Sequence, residues 1–291
     1  THSMDGNVPN LSRWFLFPLL FLIGLAAMAF TMAAAVLALT YPNLPSLEVL
    51  TDYRPKIPLR VYTADGHLIG EFGEERRAVV HIQDVPDVMK HAILAAEDER
   101  FYQHNGIDAQ GVIRAAMSNF VGGGKRQGAS TITQQVAKNF FLSSEKTYTR
   151  KLYEALLAFK IEHNLSKDQI FELYINQIFL GQRAYGFAAA GQIYFGKPLK
   201  DLTIAEAAML AGLPKAPSAF NPVVNPKRAA LRQQYVLRRM EELGFITEKQ
   251  HDEALKQALV VKRETNEFAV HAEFVAEMAR QIAAERFPED V

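Results

Sequence analysis

The chain has 291 residues with 32 basic (Lys and Arg) and 32 acidic side chains, and this length suffices for one large domain or two smaller ones. The balanced charge provides no global basic field for sequence-independent nucleic-acid binding, so we expect no nucleic-acid partner. The absence of cysteine excludes disulfides, thiolate metal sites and cysteine nucleophiles.

The first predicted element is an uncharged, apolar run from Trp14 to Leu39. At about 1.5 Å per residue, a helix over this run is roughly 39 Å long, which exceeds a hydrocarbon core of about 30 Å. We therefore predict one transmembrane helix. The alternative is a cleaved signal peptide, but the run is longer than the usual apolar region and Thr40–Pro42 is no small-residue cleavage site. Basic residues lie on both sides, so charge alone does not fix the orientation.

A proline-containing spacer, Tyr41–Pro45, precedes a predicted β-hairpin. Leu59–Tyr62 and Leu68–Phe72 are short β-like runs, and Asp65-Gly66 between them is typical of a hairpin turn. This hairpin is too small to form a sheet domain of its own.

From about Pro86 to Glu285 the apolar residues recur with a helical period, which predicts a mainly α body. Three helix starts carry capping boxes, formed by the pairs Thr131 and Gln134, Ser166 and Gln169, and Thr203 and Glu206. Gly181 and Gly212 stand where left-handed caps would end two helices.

Glu97 is a candidate for acid–base chemistry. In a helix it shares a face with Ile93, Leu94 and Phe101, and an ionised carboxylate is costly on such an apolar face. One interpretation is a carboxylate of raised pKa that accepts or donates a proton. The other is a helix-end Glu paired with Arg100 three residues later.

A glycine-rich stretch, Gly122–Gly128, leads into the capped helix that follows. A helix N-terminus near Lys125, Arg126 and Lys138 favours an anionic ligand. An ATP-binding P-loop is disfavoured because no Gly-Lys-Ser/Thr follows. The alternative is a mobile surface loop with solvated charges.

A second cluster contains Arg150 and Glu154, four residues apart, a spacing that usually marks an ordinary helix salt bridge. Asp98 and His104 are further polar candidates, each more often a local hydrogen-bonding residue than a catalyst. Two carboxylates among several cations suit sugar transfer with an anionic leaving group. Ser143–Lys146 matches the Ser-x-x-Lys pattern of penicillin-reactive enzymes, but the accompanying Ser-Asp-Asn and Lys-Thr-Gly motifs do not occur.

Five segments, in order along the chain, resemble the signatures of the peptidoglycan glycosyltransferases of family 51. The first has the pattern Glu-Asp-x-x-Phe-x-x-His-x-Gly, and in the second Ala129 replaces a common Gly. The five segments are Glu97–Gly106, Gly128–Asn139, Arg150–Glu154, Ile170–Gly181 and Ala211–Ser218. Together with the predicted anchor, they make the chain similar to class A penicillin-binding proteins of the 1a type.

The resemblance implies a lysozyme-like, mainly α domain that polymerises lipid II into glycan strands. It implies that Glu97 takes the proton from the 4-hydroxyl of the acceptor, which attacks C1 of the lipid-linked donor with inversion and releases undecaprenyl pyrophosphate. Glu154 would be the second essential carboxylate. The implied substrate-binding residues are Lys138, Arg150, Lys215, Gln134, Gln135, Asn139, Lys146, Ser130 and Thr131.

The resemblance leaves two parts of the site unassigned, namely the phosphate geometry at position 146 and the metal ligands. Lys146 stands where some members have Arg, which places the phosphate geometry there in doubt because a point charge replaces a bidentate fork. Mg²⁺ or Mn²⁺ is the implied cofactor, but the sequence identifies no metal ligands.

The resemblance also implies the location and the partners of the chain. The N-terminus would be cytoplasmic and the catalytic domain would lie on the outer, periplasmic face of the inner membrane. The expected partners are lipid II, the nascent glycan strand, the bilayer and cell-wall assembly proteins. Phe120 and Val121 are expected to dip into the bilayer.

The predicted organisation has five parts. We expect a cloning remnant with a short cytoplasmic tail (1–13), the transmembrane helix (14–39), a linker (40–62), the glycosyltransferase domain (63–245) and the start of a connecting region toward an absent transpeptidase domain (246–291). We therefore expect no penicillin-binding activity of this chain alone.

Two other functions remain as alternatives. A lytic transglycosylase or lysozyme-like hydrolase also uses a Glu at a helix end, although the second carboxylate and the cations favour a pyrophosphate leaving group. A membrane-anchored scaffold without catalysis would leave Glu97 on an apolar face without a purpose.

Overall fold

The computed structural model describes residues 11–51, 58–73, 75–121, 130–142, 148–262 and 272–286. These residues fall into two compact units, with the boundary between Ser46 and Leu47. The first unit contains helix α1 (Leu11–Thr40) and a 3-10 turn at Tyr41–Asn43. Among the side chains that the structure describes, no helix offers an apolar stretch long enough to cross a membrane.

The second unit begins with a short helix and the predicted hairpin. Helix α2 (Glu48–Thr51) precedes strands β1 (Leu59–Tyr62) and β2 (Leu68–Phe72), which pair antiparallel. The turn between the strands closes with a bond from the Thr63 amide to the His67 carbonyl at 2.8 Å, and Gly66 adopts φ +87°, which favours glycine. The hairpin prediction is confirmed.

The rest of the second unit is mainly helical, as predicted. Its helices are α3 (Asp87–Glu97), α4 (Ala109–Val121), α5 (Ile132–Phe141), α6 (Tyr148–Asn164), α7 (Lys167–Gln177), α8 (Phe187–Phe195), α9 (Ile204–Ala211), α10 (Pro226–Glu242), α11 (Glu248–Lys256) and α12 (Glu273–Arg286). Two short strands, β3 (Arg76–Arg77) and β4 (Ala184–Tyr185), form a parallel pair that connects distant parts of the chain.

The core of the second unit is built from two groups of packed helices. Helix α9 packs against α3 and α10, and α5 packs against α6 and α7. Fully buried apolar side chains fill both groups, among them Ile93 of α3, Ile132 of α5 and Leu210 of α9. The two groups place parts of α3, α5, α6 and α10 around one cleft.

The three predicted capping boxes at the starts of α5, α7 and α9 are present, with the side-chain oxygens of Thr131, Ser166 and Thr203 accepting from the backbone three residues later. A fourth, formed by Thr247 and Gln250, starts α11.

The prediction of a left-handed cap at Gly212 is wrong. Gly212 ends α9 with φ −76° and ψ −21°, in the right-handed region. A Cβ at this position would lie 2.8 Å from Cγ of Arg232, so glycine serves a close approach of α10. Gly181 has φ +85°, but it lies in the loop after α7, whose C-cap is Ile178.

Helix α12 packs against the β1–β2 hairpin, so two segments far apart in the sequence meet. Ala276 of α12 is buried, and a Cβ added to Gly70 of β2 would lie 2.6 Å from the Ala276 Cβ. The second unit therefore includes parts of the predicted linker and of the predicted connecting region.

Candidate active site

A cleft of about 980 Å³ opens between the two helix groups of the second unit. Its walls come from parts of α3, α4, α5, α6 and α10 and from the loop after α9. The predicted residues that line it are Glu97, Ser130, Thr131, Gln134, Gln135, Lys138, Arg150, Glu154 and Lys215. Asn139 is exposed on α5 and is not among the lining residues, and Lys146 lies outside the described residues.

Glu97 is the last residue of α3 and faces the cleft with 11% of its side chain exposed. Its Oε2 accepts a hydrogen bond from Gln135 Nε2 at 2.9 Å, and its Oε1 lies 3.6 Å from Nη2 of Arg232. Burial raises the pKa of Glu97, and this effect outweighs the lowering by Gln135, Arg232 and Lys215. A carboxylate in this position is suited to accept a proton from a bound hydroxyl.

The alternative pairing of Glu97 with Arg100 is wrong. Arg100 instead binds Asp108 through its guanidinium, and it also contacts Gln110. Both partners belong to the segment that begins α4, so Arg100 fixes that helix rather than the carboxylate of Glu97.

Asp98 and His104 are local hydrogen-bonding residues. Both carboxylate oxygens of Asp98 lie 3.1 Å from His104 Nε2, and Oδ2 also accepts from the backbone amide of Ile132 at 3.0 Å. Ile132 is the first residue of α5, so Asp98 satisfies an amide that has no partner within the helix. The pair thereby fixes the start of α5 next to Glu97.

Glu154 is buried on α6 and is held by two basic side chains of the same helix. Arg150 Nη1 contacts Glu154 Oε1, which confirms the salt bridge expected from the spacing, and Lys151 Nζ lies 2.6 Å from Oε2. Lys151 Nζ also donates to Ser130 Oγ at 2.8 Å. Two cations therefore neutralise the charge of Glu154, whereas the charge of Glu97 is only partly neutralised.

Basic side chains outnumber acidic ones in the cleft, although the whole chain is neutral. The basic residues are Arg114, Lys138, Arg150, Lys151, Lys215, Arg232, Arg238 and Arg239, and the acidic residues are Glu97, Asp98, Glu99, Asp108 and Glu154. Lys215 is partly desolvated, and burial together with Arg232 lowers its pKa while Glu97 opposes the shift. The excess of positive charge makes the cleft suited to an anionic ligand.

The arginines of α10 were missed in the sequence because they lie beyond the five motifs. Arg232 is 8% exposed, and its guanidinium approaches the carbonyl oxygens of Gly212 and Ala96 at 3.4 Å. A signal was present: Arg232 shares a helix face with Ala229 and Val236, both buried, which is the same argument that identified Glu97.

Glu99 connects the α4 and α10 walls of the cleft. Its two oxygens contact Arg114 of α4 and Arg239 of α10. Glu242 also contacts Arg239, and these carboxylates raise the pKa of Arg239 against the opposing effect of burial. One rim of the cleft is therefore an ion-pair network between helices.

Within the described residues, the side chains do not form a site for a metal ion held by protein ligands alone. In the part of the chain that the structure describes, no group of three His, Asp or Glu side chains is placed to hold one. Glu97 and Glu154 are instead engaged by Gln135 and by basic residues. The dependence on Mg²⁺ or Mn²⁺ stays a prediction.

Residues 65–241, which contain all five motifs and all of the residues that line the cleft, match the family model described as Transglycosylase. The chain therefore belongs to the transglycosylase family. It is 59% identical over 267 residues to penicillin-binding protein 1A of Neisseria lactamica, covering 92% of this chain and 34% of that protein. It is 48% identical over 239 residues to penicillin-binding protein 1A of Pseudomonas aeruginosa, covering 82% and 29%.

The chain spans about a third of the length of these curated relatives. Among solved structures, it is similar to penicillin-binding protein 1A from Haemophilus influenzae, with 34% identity, a TM-score of 0.47, and coverage of 81% of this chain and 25% of that chain. The family expected from the motifs is thus confirmed by sequence.

Proposed function

We propose that this chain carries a peptidoglycan glycosyltransferase domain that joins lipid II units into glycan strands. The observation that carries the proposal is the desolvated carboxylate of Glu97 in a cleft whose other side chains are predominantly basic. The transglycosylase family match and the relatives named penicillin-binding protein 1A support the same activity.

In the proposed reaction, Glu97 removes the proton from the 4-hydroxyl of the acceptor sugar. The hydroxyl oxygen forms a bond to C1 of the donor sugar from the face opposite the leaving group, and the bond between C1 and the phosphate oxygen breaks. The electron pair leaves with undecaprenyl pyrophosphate, and the configuration at C1 inverts. The reaction requires a base for the hydroxyl and positive charges for the leaving group, and the cleft supplies both.

Different basic residues of the cleft would bind the leaving pyrophosphate and the region of the reacting hydroxyl. Lys138 and Arg150 line the cleft together with Glu154 and would stabilise the departing pyrophosphate. Because Arg150 and Lys151 also hold Glu154, the second carboxylate would keep these cations oriented toward the substrate. Lys215 and Arg232 flank Glu97 and would bind nearer to the reacting hydroxyl.

We further propose that residues 14–39 anchor the chain in the inner membrane, with the N-terminus in the cytoplasm and the catalytic domain outside. The uncharged run in the sequence supports an anchor. Exposed apolar side chains on α4, namely Val112, Ile113 and Met117, support contact of the domain with the bilayer that contains its substrate. Protease treatment of sealed inner-membrane vesicles tests this topology, because a domain protected in right-side-out vesicles would contradict it.

The first experiment compares the chain with its Glu97→Gln variant in lipid II polymerisation. The amide keeps the size of the side chain and removes the base, so we expect polymerisation to fall by at least about 100-fold while lipid II binding remains. The matched control is Glu248→Gln, because Glu248 is exposed on α11 outside the cleft. We expect the control to polymerise lipid II at the rate of the parent.

The same experiment separates the alternatives. Polymerisation by Glu97→Gln at the parent rate would overturn the role of the base. A parent chain that binds lipid II without polymerising it would overturn the proposed activity and favour a scaffold. Release of soluble fragments from purified cell walls by the parent would favour a hydrolase.

A further inference from the structure

Several buried polar atoms lack a hydrogen-bond partner among the described residues, and two of them bear on the candidate base. One is Oε1 of Glu97, and the other is the hydroxyl oxygen of Tyr174 on α7. Tyr174 is 1% exposed, so its hydroxyl is withdrawn from solvent. Buried polar groups are nearly always hydrogen-bonded, because an unpaired one loses its bonds to water without replacement. Two such atoms in one region therefore need an explanation.

The helix packing brings these two side chains to the same place. The rings of Phe101 and Phe171 contact each other with centroids 5.6 Å apart. Glu97 lies four residues before Phe101, and Tyr174 lies one turn after Phe171 on α7. Helix α7 also packs against α5, whose Gln135 donates to Glu97, so both contacts bring α7 close to this carboxylate.

The electrostatics of Tyr174 agree with this placement. Burial raises the pKa of Tyr174, and the charges of Glu97 and Asp98 raise it further, while Arg232 opposes them. The phenol therefore remains protonated at neutral pH and offers an O–H donor.

The other groups around Glu97 leave one oxygen available for that donor. Gln135 of α5 donates to Oε2, whereas Arg232 of α10 approaches Oε1 at 3.6 Å without a hydrogen bond. Lys215, from the loop after α9, and Asp98 act on Glu97 only through their charges. Oε1 thus retains an unused acceptor site within the electrostatic reach of the phenol.

We propose that Tyr174 is a positioning residue for Glu97, whose carboxylate receives a hydrogen bond from the Tyr174 hydroxyl, directly or through one water. With Gln135 on one oxygen and Tyr174 on the other, the carboxylate is fixed in rotation and its charged form is stabilised. This inference rests on the proposed function only in treating Glu97 as the base.

The test is Tyr174→Phe, which removes the hydroxyl and keeps the ring that packs against Phe187. Loss of a donor to the charged form raises the pKa of a carboxyl group. We therefore expect the Glu97 titration, observed by ¹³C NMR of labelled Glu with Glu97→Gln as the assignment control, to move to higher pH. In lipid II polymerisation we expect kcat to fall roughly 10- to 100-fold, with KM within about twofold. The acid limb of the rate profile should move to higher pH with the titration.

The matched control is Tyr194→Phe. Tyr194 is also fully buried, but its hydroxyl donates to the Leu180 carbonyl at 2.8 Å. This control should lose stability and leave both the Glu97 titration and the acid limb unchanged. A purely structural role of Tyr174 would give the same result as the control, and that outcome would overturn the inference.

A second substitution keeps the test decisive if Tyr174→Phe does not fold. 3-Fluorotyrosine at position 174 retains the hydroxyl and makes it a stronger donor, so the Glu97 titration should move to lower pH. An unshifted titration contradicts the inference whether or not the chain is active. If the substitution shifts the Glu97 titration but the parent chain does not polymerise lipid II, the inference is upheld and the proposed function is overturned.

Discussion

At the scale of single residues, the two carboxylates of the cleft differ in what surrounds them. Glu97 receives one hydrogen bond, from a neutral amide, and burial raises its pKa. Glu154 contacts two cations at once. The first arrangement suits a group that gains and loses a proton, whereas the second suits a fixed charge that orients its neighbours.

Glu154→Gln tests the second arrangement. The change leaves Arg150 and Lys151 close together without a carboxylate between them, so we expect a loss of about 2 kcal/mol in unfolding free energy, reduced from the value for a fully buried pair because Lys151 is half exposed. Polymerisation should fall strongly because the two cations are no longer oriented. Denaturant unfolding and lipid II polymerisation measure the two effects.

The control for this change is Glu253→Gln. Lys249 and Glu253 form a pair with the same i, i+4 spacing, but both side chains are largely exposed and the atoms lie 3.9 Å apart. An exposed pair of this kind contributes at most about 0.5 kcal/mol. Equal losses of stability in the two variants would contradict the assigned role of Glu154.

Functional residues could be predicted from the sequence where a side chain is chemically unusual for its position. A carboxylate on the apolar face of α3 predicted Glu97, and the expected salt bridge of Glu154 formed. The alternative pairing of Glu97 with Arg100 is wrong because α3 ends at Glu97, so helical spacing no longer applies to Arg100, which pairs with Asp108 instead. Contacts of this kind depend on tertiary packing, which helix spacing does not encode.

At the scale of elements, α5 is a helix that brings three polar side chains into the cleft. Gln134, Gln135 and Lys138 all face the cleft from α5. The start of this helix is fixed twice, by the capping box of Thr131 and by Asp98 on the amide of Ile132. Thr131 also donates to the Gly106 carbonyl at 2.6 Å, so the N-terminus of α5 is tied to the segment after α3.

Comparison of Thr131→Ala with Thr247→Ala tests the importance of that fixed start. Both variants lose a capping box, which should cost about 1 kcal/mol of stability, and Thr131→Ala also loses the bond to the Gly106 carbonyl. Only Thr131→Ala should also reduce polymerisation, because α5 positions Gln135 against Glu97 and α11 contributes nothing to the cleft. A similar loss of activity in both variants would indicate a general effect of stability.

The starts of three helices could be predicted from the sequence, whereas the conformation at the end of α9 could not. The difference has a physical reason. A capping box is a contact between residues three positions apart, so the sequence pattern contains the whole interaction. Gly212 was expected to be a left-handed cap, but the reason for glycine there is Arg232, twenty residues later, whose side chain occupies the space of a Cβ. Such a requirement becomes visible only when the two helices are packed.

At the scale of the whole second unit, the β1–β2 hairpin and α12 form one packed surface. We expect Gly70→Ala to weaken it, because the added methyl would overlap Ala276 and such overpacking costs typically about 1–3 kcal/mol. Faster hydrogen exchange in α12 is the measurement. The control is Gly66→Asn in the hairpin turn, where a Cβ meets nothing within 4 Å and Asn tolerates a positive φ. Equal exchange rates in α12 of the two variants would contradict the contact.

The parallel pairing of β3 with β4 has a consequence for the order in which the protein becomes complete during synthesis. Val80 bonds to Asn176 and Gly73 bonds to Arg183, over separations of 96 and 110 residues. A ribosome that adds about 5–20 residues per second needs roughly 5–20 s to make that intervening chain. During this time β3 exists without its partner, while α3 to α7 can already form their internal hydrogen bonds. The β3–β4 pair therefore forms late, and a pause in translation before β4 would prolong the exposure of an incomplete domain.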